Sequence, residues 1–243
     1  MLTVAEEAPT QQLTRRIHLA TASALKLRQY DFLLEEIGLS VEAVQHVPTL
    51  FEPQVDGIGA PNEAALVAEP LKTLSRFAAR NDGYPLVVED TMLFIDHFNR
   101  EVPALPGPDT KRWWLALGNT GLLELMTGAR CRDARYVCQL GVSTAPADYK
   151  VFRVEVPGRI AAKERTSRIA RENFPRTNAT YFHSVFIPQG ARRTFGEMDE
   201  NEFARFDYRR ALVHKAAPYL IEAATAPIQG QLFSPSRCIQ TCS

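Results

Sequence analysis

The stretch Leu86-Val87-Val88-Glu89-Asp90-Thr91 constrains this chain more than any other, because an apolar run ends by delivering two adjacent carboxylates and a hydroxyl. A short apolar run after the turn signal Asp82-Gly83-Tyr84-Pro85 reads as a core strand ending at Glu89. In open α/β sheets ligands bind beyond the carboxyl ends of the strands, which puts Glu89 and Asp90 where chemistry is usually built. Two neighbouring acids there point to a hard divalent cation. A strand end that simply caps an Asp-bearing turn is the other reading of the same residues.

The 243 residues, 45% of them hydrophobic, suffice for one large α/β domain or two small ones. Lys plus Arg equals Asp plus Glu at 28 each, so no global field draws the chain to nucleic acid or a membrane surface. No apolar run approaches the roughly 18 to 20 residues that cross a bilayer. The polar start, Met1 to Arg16, lacks the apolar core of a signal peptide, and a cytoplasmic location is expected. Cys131, Cys138, Cys238 and Cys242 then read as reduced thiols. Cys238-x-x-x-Cys242 has no second pair and no nearby histidine, so no zinc site is expected there.

Residues 1–14 read as a loose arm, 15–226 as a single α/β domain and 227–243 as a peripheral tail. Arg16-Ile17-His18-Leu19-Ala20 reads as a strand. Thr21 and Ser23 are N-cap types opening a helix that Gly38 ends. A strand through Val41 to Val47, a loop from Pro48 to Pro61 and a helix from Asn62 to Arg80 with Pro70 inside it follow. Val102-Pro103-Ala104-Leu105-Pro106-Gly107-Pro108 reads as a shaped loop without regular structure. Helices are expected over Asp109–Leu117 and Gly121–Thr127, and strands over Ala134–Thr144, Tyr149–Val156 and Phe182–Ile187. A last helix spans Phe206–Ala224. The basic stretch Gly158–Asn178 has no interleaved aromatics and reads as a solvated or phosphate-facing insert, so no nucleic-acid partner is expected.

The first strand-to-helix turn, Thr21-Ala22-Ser23-Ala24-Leu25-Lys26, sets hydroxyls, backbone amides and one lysine at a helix N-terminus. Such a place attracts phosphate through the macrodipole and the unpaired N–H groups. Taken in order, this turn and the later motifs resemble the inosine triphosphate pyrophosphatase family. Its T-G-N-x-x-K is similar to Thr21-Ala22-Ser23-x-x-Lys26, its E-x-Q to Glu52-Pro53-Gln54, and its V-E-D-T-x-L to Val88-Glu89-Asp90-Thr91-Met92-Leu93. Its L-P-G-P-x-x-K-W resembles Leu105 to Trp113 with one residue inserted, and its L-G-x-x-G-L resembles Leu117 to Leu122. The likeness spans roughly residues 16 to 221, close to about 127 and weaker beyond.

The resemblance implies an elongated mixed β-sheet with flanking helices, two lobes around a central cleft, and a homodimer with Pro103 to Trp114 as candidate contact surface. It implies a magnesium-dependent enzyme that hydrolyses a nucleoside triphosphate to monophosphate and pyrophosphate. Asp90 would activate water, with Lys26 also catalytic. Thr21, Ser23, Lys26 and Lys111 would hold the polyphosphate, and Glu52, Glu89 and Asp90 the metal. The base-reading half departs from the family pattern. Alignment on Phe186 sets Thr180, Tyr181, Phe182 and His183 where the family has F-G-W-D, and counting onward from Glu197-Met198 sets Asp207-Tyr208-Arg209 where it has S-H-R. Phe182, His183, Tyr208 and Arg209 are the candidate base contacts, and an altered base preference is expected because hydrogen-bonding sites discriminate only while their partners are present. A house-cleaning inosine or xanthosine triphosphatase and a non-catalytic nucleotide-binding protein are the alternative readings.

Overall fold

A computed structural model describes residues 15–44, 85–99, 105–145, 148–177 and 181–225. Glu52, the expected 62–80 helix, Cys238 and Cys242 lie outside them. In chain order the elements are β1 (Arg16–Leu19), α1 (Ala24–Glu35), β2 (Ser40–Ala43), β3 (Leu86–Ile95), β4 (Pro106–Gly107) and α2 (Thr110–Leu125). They continue with β5 (Asp133–Ala145), β6 (Asp148–Ile160), α3 (Arg168–Glu172), β7 (Phe186–Pro188), α4 (Glu200–Ala204) and α5 (Tyr208–Thr225).

Among the described residues the strands form one seven-stranded mixed sheet ordered β2-β1-β3-β5-β6-β7, with β4 paired to β3. β2 and β3 run parallel to β1, and the remaining pairs are antiparallel. The β1-α1-β2 unit supplies the parallel part, and the long β5-β6 hairpin carries the antiparallel part. Helices α1 and α5 pack on one face and touch each other. Their apolar stripes, including Leu33, Leu34, Leu212 and Ala216, meet Leu93, Tyr136 and Leu140 of the sheet in one core. Burying each such leucine stabilises the fold by about 1.5–3 kcal/mol relative to leaving it exposed. On the opposite face Met92, Phe94 and Val137 form a second buried cluster, so β3 is apolar on both faces apart from its centre.

Three expectations change. β3 does not end at Glu89 but runs on to Ile95, because it gains a full antiparallel partner in β5 from Leu86↔Ser143 to Ile95↔Ala134. The proline loop holds a two-residue strand, Pro106–Gly107, which lies at an edge where proline's missing N–H is tolerated. Residues Tyr181–Ser184 form a 3-10 turn, so strand structure in that segment starts only at Phe186. The two helices expected over 109–127 are contiguous in α2 but broken at Gly118, whose φ of 61° and ψ of −168° leave the helical region. Gly158 admits the close approach of β7: a Cβ there would lie 2.4 Å from the Ile187 carbonyl oxygen and 2.5 Å from Phe186 Cζ.

Candidate active site

The site begins with a ladder that runs out of backbone. His18 N donates to Pro85 O at 2.9 Å and Ala20 N to Val87 O at 2.8 Å, after which the chain leaves β1 for α1. The next acceptor on that edge of β3, Glu89 O, takes the Lys26 ammonium instead, at 3.1 Å. Ser23 caps α1 by accepting from Lys26 N at 3.3 Å, and Thr21 Oγ1 accepts from Ser23 N at 3.1 Å. Both hydroxyls thus spend a lone pair on the turn and keep an O–H with which to donate. The sequence-predicted turn and the strand acids are brought together at this edge.

Because side chains alternate along a strand, Glu89 and Asp90 face opposite sides of the sheet. Glu89 points toward α1 and α5, and its side chain is fully buried. Its Oε1 accepts from Thr91 Oγ1, from Cys138 Sγ at 3.1 Å and from Arg209 Nε at 3.4 Å, while Oε2 lies 2.9 Å from Lys26 Nζ. Arg209 also donates to Gln29 Oε1 at 2.8 Å and Thr91 Oγ1 at 3.4 Å. The guanidinium thereby ties α5, α1 and β3 at one point. Burial alone would raise the Glu89 carboxyl, but Lys26 and Arg209 outweigh it and bring it down to about 2. Burial likewise pulls the Lys26 ammonium down, and the Glu89 and Asp90 carboxylates reverse that to a net rise. Cys138 is pushed up by burial and then by Glu89, which keeps it a thiol that donates.

Asp90 is partly buried on the other face, opposite Gln139 of β5. Its carboxyl is pushed up, chiefly by burial, with Lys26 acting against the rise. The Thr91 backbone N–H also acts against the rise, and no side chain among the described residues donates to the Asp90 carboxylate. This is the donor set that suits a hard cation: an oxygen anion whose lone pairs are not used up. Glu89 has its Oε1 fully engaged, while its Oε2 is buried without a hydrogen-bond partner and faces the Lys26 ammonium at 2.9 Å. Lys111 stands exposed on the first turn of α2. That turn is pinned to β3 by Thr110, whose Oγ1 accepts from Leu93 N at 2.7 Å and donates to Gly107 O at 2.6 Å.

The residues expected to read a base are buried. Phe182 is fully buried, and His183 and Tyr208 are 2% exposed. Tyr208 stacks on Tyr136 with centroids 5.3 Å apart, and its hydroxyl lies 2.9 Å from His183 Nε2. Phe182, Phe203 and Tyr208 are core rings, because large aromatic surfaces gain most from full burial. Tyr181 remains partly exposed, edge-on to Trp114 at 5.2 Å. Its φ is +51°, the left-handed region, at the position that alignment gives to the family's glycine.

The Ham1 family model matches residues 17–219. The chain belongs to the Ham1 family. It is 27% identical over 207 residues to the dITP/XTP pyrophosphatase of Methanothermobacter marburgensis, covering 85% of this chain and 97% of that one. To the dITP/XTP pyrophosphatase of Ignicoccus hospitalis it is 28% identical over 208 residues, 86% and 98% of the two chains. The Ham1 protein of Staphylococcus aureus superposes with a TM-score of 0.60 at 18% identity, over 84% of this chain and 97% of that one, which shows a common fold. Within this Ham1-family frame, sequence reasoning missed Gln29 and Cys138 as partners of the charged cluster. Gln29 was findable, since it lies at i+3 from Lys26 on one helix face. Cys138 was not, because only the β3-β5 register sets it beside Thr91.

Proposed function

We propose that this chain is a nucleoside triphosphate pyrophosphohydrolase whose base preference departs from inosine and xanthine. The observation that carries the reading is the Lys26 ammonium held at the edge of β3, bonded to Glu89 and acting on Asp90, at the mouth of the α1 N-terminus. Among the described residues that edge offers a fixed cation, hydroxyls at Thr21 and Ser23 with an O–H left to donate, the first-turn amides of α1 and the Asp90 carboxylate without a side-chain donor. Phosphoryl transfer asks for little more than positioning, charge neutralisation and a base.

Asp90 accepts the proton of a water whose oxygen attacks the α-phosphorus, and the bond from that phosphorus to the bridging oxygen breaks as pyrophosphate leaves. Lys26 and the α1 amides neutralise charge on the polyphosphate, and Lys111 is its second cation. A magnesium ion would be held by Asp90 and Glu89, with Glu52 as the further carboxylate by resemblance, and would add Lewis-acid neutralisation of the phosphates. Glu89 also fixes Lys26 and Arg209. The altered base preference is supported by His183, which stands in the family's acid position and is buried against Tyr208.

The test is pyrophosphate release from a panel of nucleoside triphosphates with magnesium. Turnover of at least one of them, abolished by Asp90→Asn, is the expected result. No release from any triphosphate overturns the activity. A preference of tenfold or more for inosine over adenosine triphosphate, about 1.4 kcal/mol in transition-state binding, overturns the base preference and returns the house-cleaning reading.

A further inference from the structure

Gln139 is a polar residue in an apolar setting. It is 2% exposed, and its Oε1 is buried without a hydrogen-bond partner. Its neighbours on that face include Val137 along β5 and Met92 across on β3. Directly opposite residues of an antiparallel pair point to the same face with Cβ atoms about 4.5–5.5 Å apart. The register Asp90↔Gln139 therefore sets the amide beside the Asp90 carboxylate, on the side of the sheet away from Glu89. Both groups present acceptor oxygens, and two acceptors side by side cannot satisfy each other. They call for a donor with two hydrogens between them.

We infer that Gln139 is a water-positioning residue: its Oε1 takes one hydrogen of the attacking water while Asp90 takes the other. With both O–H bonds directed, the two lone pairs of the water are confined to the side away from Asp90 and Gln139, an orientation that a glutamine imposes on the nucleophilic water of some nucleoside triphosphatases. The inference rests on the pyrophosphohydrolase reading above and adds a residue to it. Loss of such alignment costs on the order of a hundredfold in rate.

Gln139→Leu, Gln139→Glu and Asp90→Asn are compared with the unaltered chain in kcat, KM, thermal midpoint and product ratio in water containing methanol. Gln139→Leu is expected to lower kcat roughly a hundredfold with KM within about twofold. Gln139→Glu, which keeps an acceptor at the same reach, is expected to restore a large part of that loss. Methanol carries one O–H hydrogen, so Gln139→Leu is also expected to raise the ratio of nucleoside methyl phosphate to nucleoside monophosphate several-fold. Its thermal midpoint is expected to rise, because an apolar isostere removes a buried unpaired carbonyl. A lowered midpoint with normal kcat makes Gln139 a structural residue and overturns the inference. An unchanged product ratio with a raised magnesium requirement makes it a metal ligand and equally overturns it. If the unaltered chain turns over, Asp90→Asn does not, and Gln139→Leu keeps full kcat, this inference alone fails. If the unaltered chain is inactive on every triphosphate, the parent reading fails and takes this one with it.

Discussion

The Lys26 ammonium donates to the Glu89 carbonyl at 3.1 Å and occupies the rung that the next β1 amide would have held. A side chain continues a backbone ladder, and the same nitrogen contacts the Glu89 carboxylate at 2.9 Å. One residue therefore closes the sheet edge, neutralises a buried acid and leaves a cation beside Asp90.

Lys26→Met is expected to lower kcat/KM by at least about a hundredfold, since a fixed cation on developing phosphate charge is lost. It also leaves Arg209 as the one cation paired with Glu89 among the described residues, and a stability loss of about 1–3 kcal/mol follows from the weakened buried acceptor. Pyrophosphate release and urea denaturation check the two effects. Full activity in the folded variant removes Lys26 from the mechanism.

Arg209 bridges α5, α1 and β3 through Glu89, Gln29 and Thr91. Arg209→Met strands part of a buried charge cluster and is expected to cost about 3–5 kcal/mol. Arg209→Lys rescues little, because one ammonium cannot reproduce the planar fork. Adding Glu89→Gln to Arg209→Met should recover part of the loss, and a double-mutant cycle by chemical denaturation measures it. Strict additivity in that cycle contradicts the coupling.

The Glu89 carboxyl is held down to about 2, below the ordinary glutamate value, by Lys26 and Arg209 working against burial. An acid with a depressed folded pKa stabilises the fold fully above its unfolded value, near 4.3. That contribution, on the order of 3 kcal/mol, is lost as pH falls from there through about 2. Stability curves of the unaltered chain and Glu89→Gln should therefore converge between about pH 5 and pH 2. Parallel curves over that window show that Glu89 is not depressed.

Gly158→Ala puts a Cβ 2.4 Å from Ile187 O, a contact that must push β7 away from β6. A loss of about 1–3 kcal/mol is expected from such overpacking. The steady-state rate per folded molecule should stay unchanged, since β7 lies beyond β6 from the Asp90 strand. A stability equal to that of the unaltered chain rules out the close approach.

Tyr181 holds a φ of +51° that costs a tyrosine roughly 1 kcal/mol and a glycine almost nothing. Tyr181→Gly trades that strain against the edge-on contact with Trp114, so the net change in thermal midpoint is expected to be small. Tyr181→Val, β-branched at positive φ, should lower the midpoint by several degrees. Equal midpoints for the glycine and valine variants count against a left-handed backbone at this position.

Much of the fold and the heart of the site were legible in the residue order. The strands, the α1 cap at Ser23 and the long last helix follow from local periodicity and cap chemistry, which short-range physics decides. Lys26 and Asp90 were legible as a pair because their motifs keep family spacing. The pairing of Glu89 with Arg209 and Cys138 was not, for it joins residues far apart along the chain. Arg209 meets Glu89 across 120 positions, and Cys138 meets it across 49. Phe182 and Tyr208 read as candidate base contacts from sequence, since aromatic residues look alike in a core and on a binding face.

By itself, the amino-acid sequence determined that Glu89 and Asp90 are adjacent acids in an apolar strand, and adjacency in a pleated strand already separates them onto opposite faces. Only the tertiary structure decided what each face holds. Lys26 and Arg209 pack against one face and consume the Glu89 carboxylate, while Gln139 comes up beside Asp90 on the other. The reason is that strand register and helix docking are fixed by burying the whole core at once, so no local stretch of sequence carries that information.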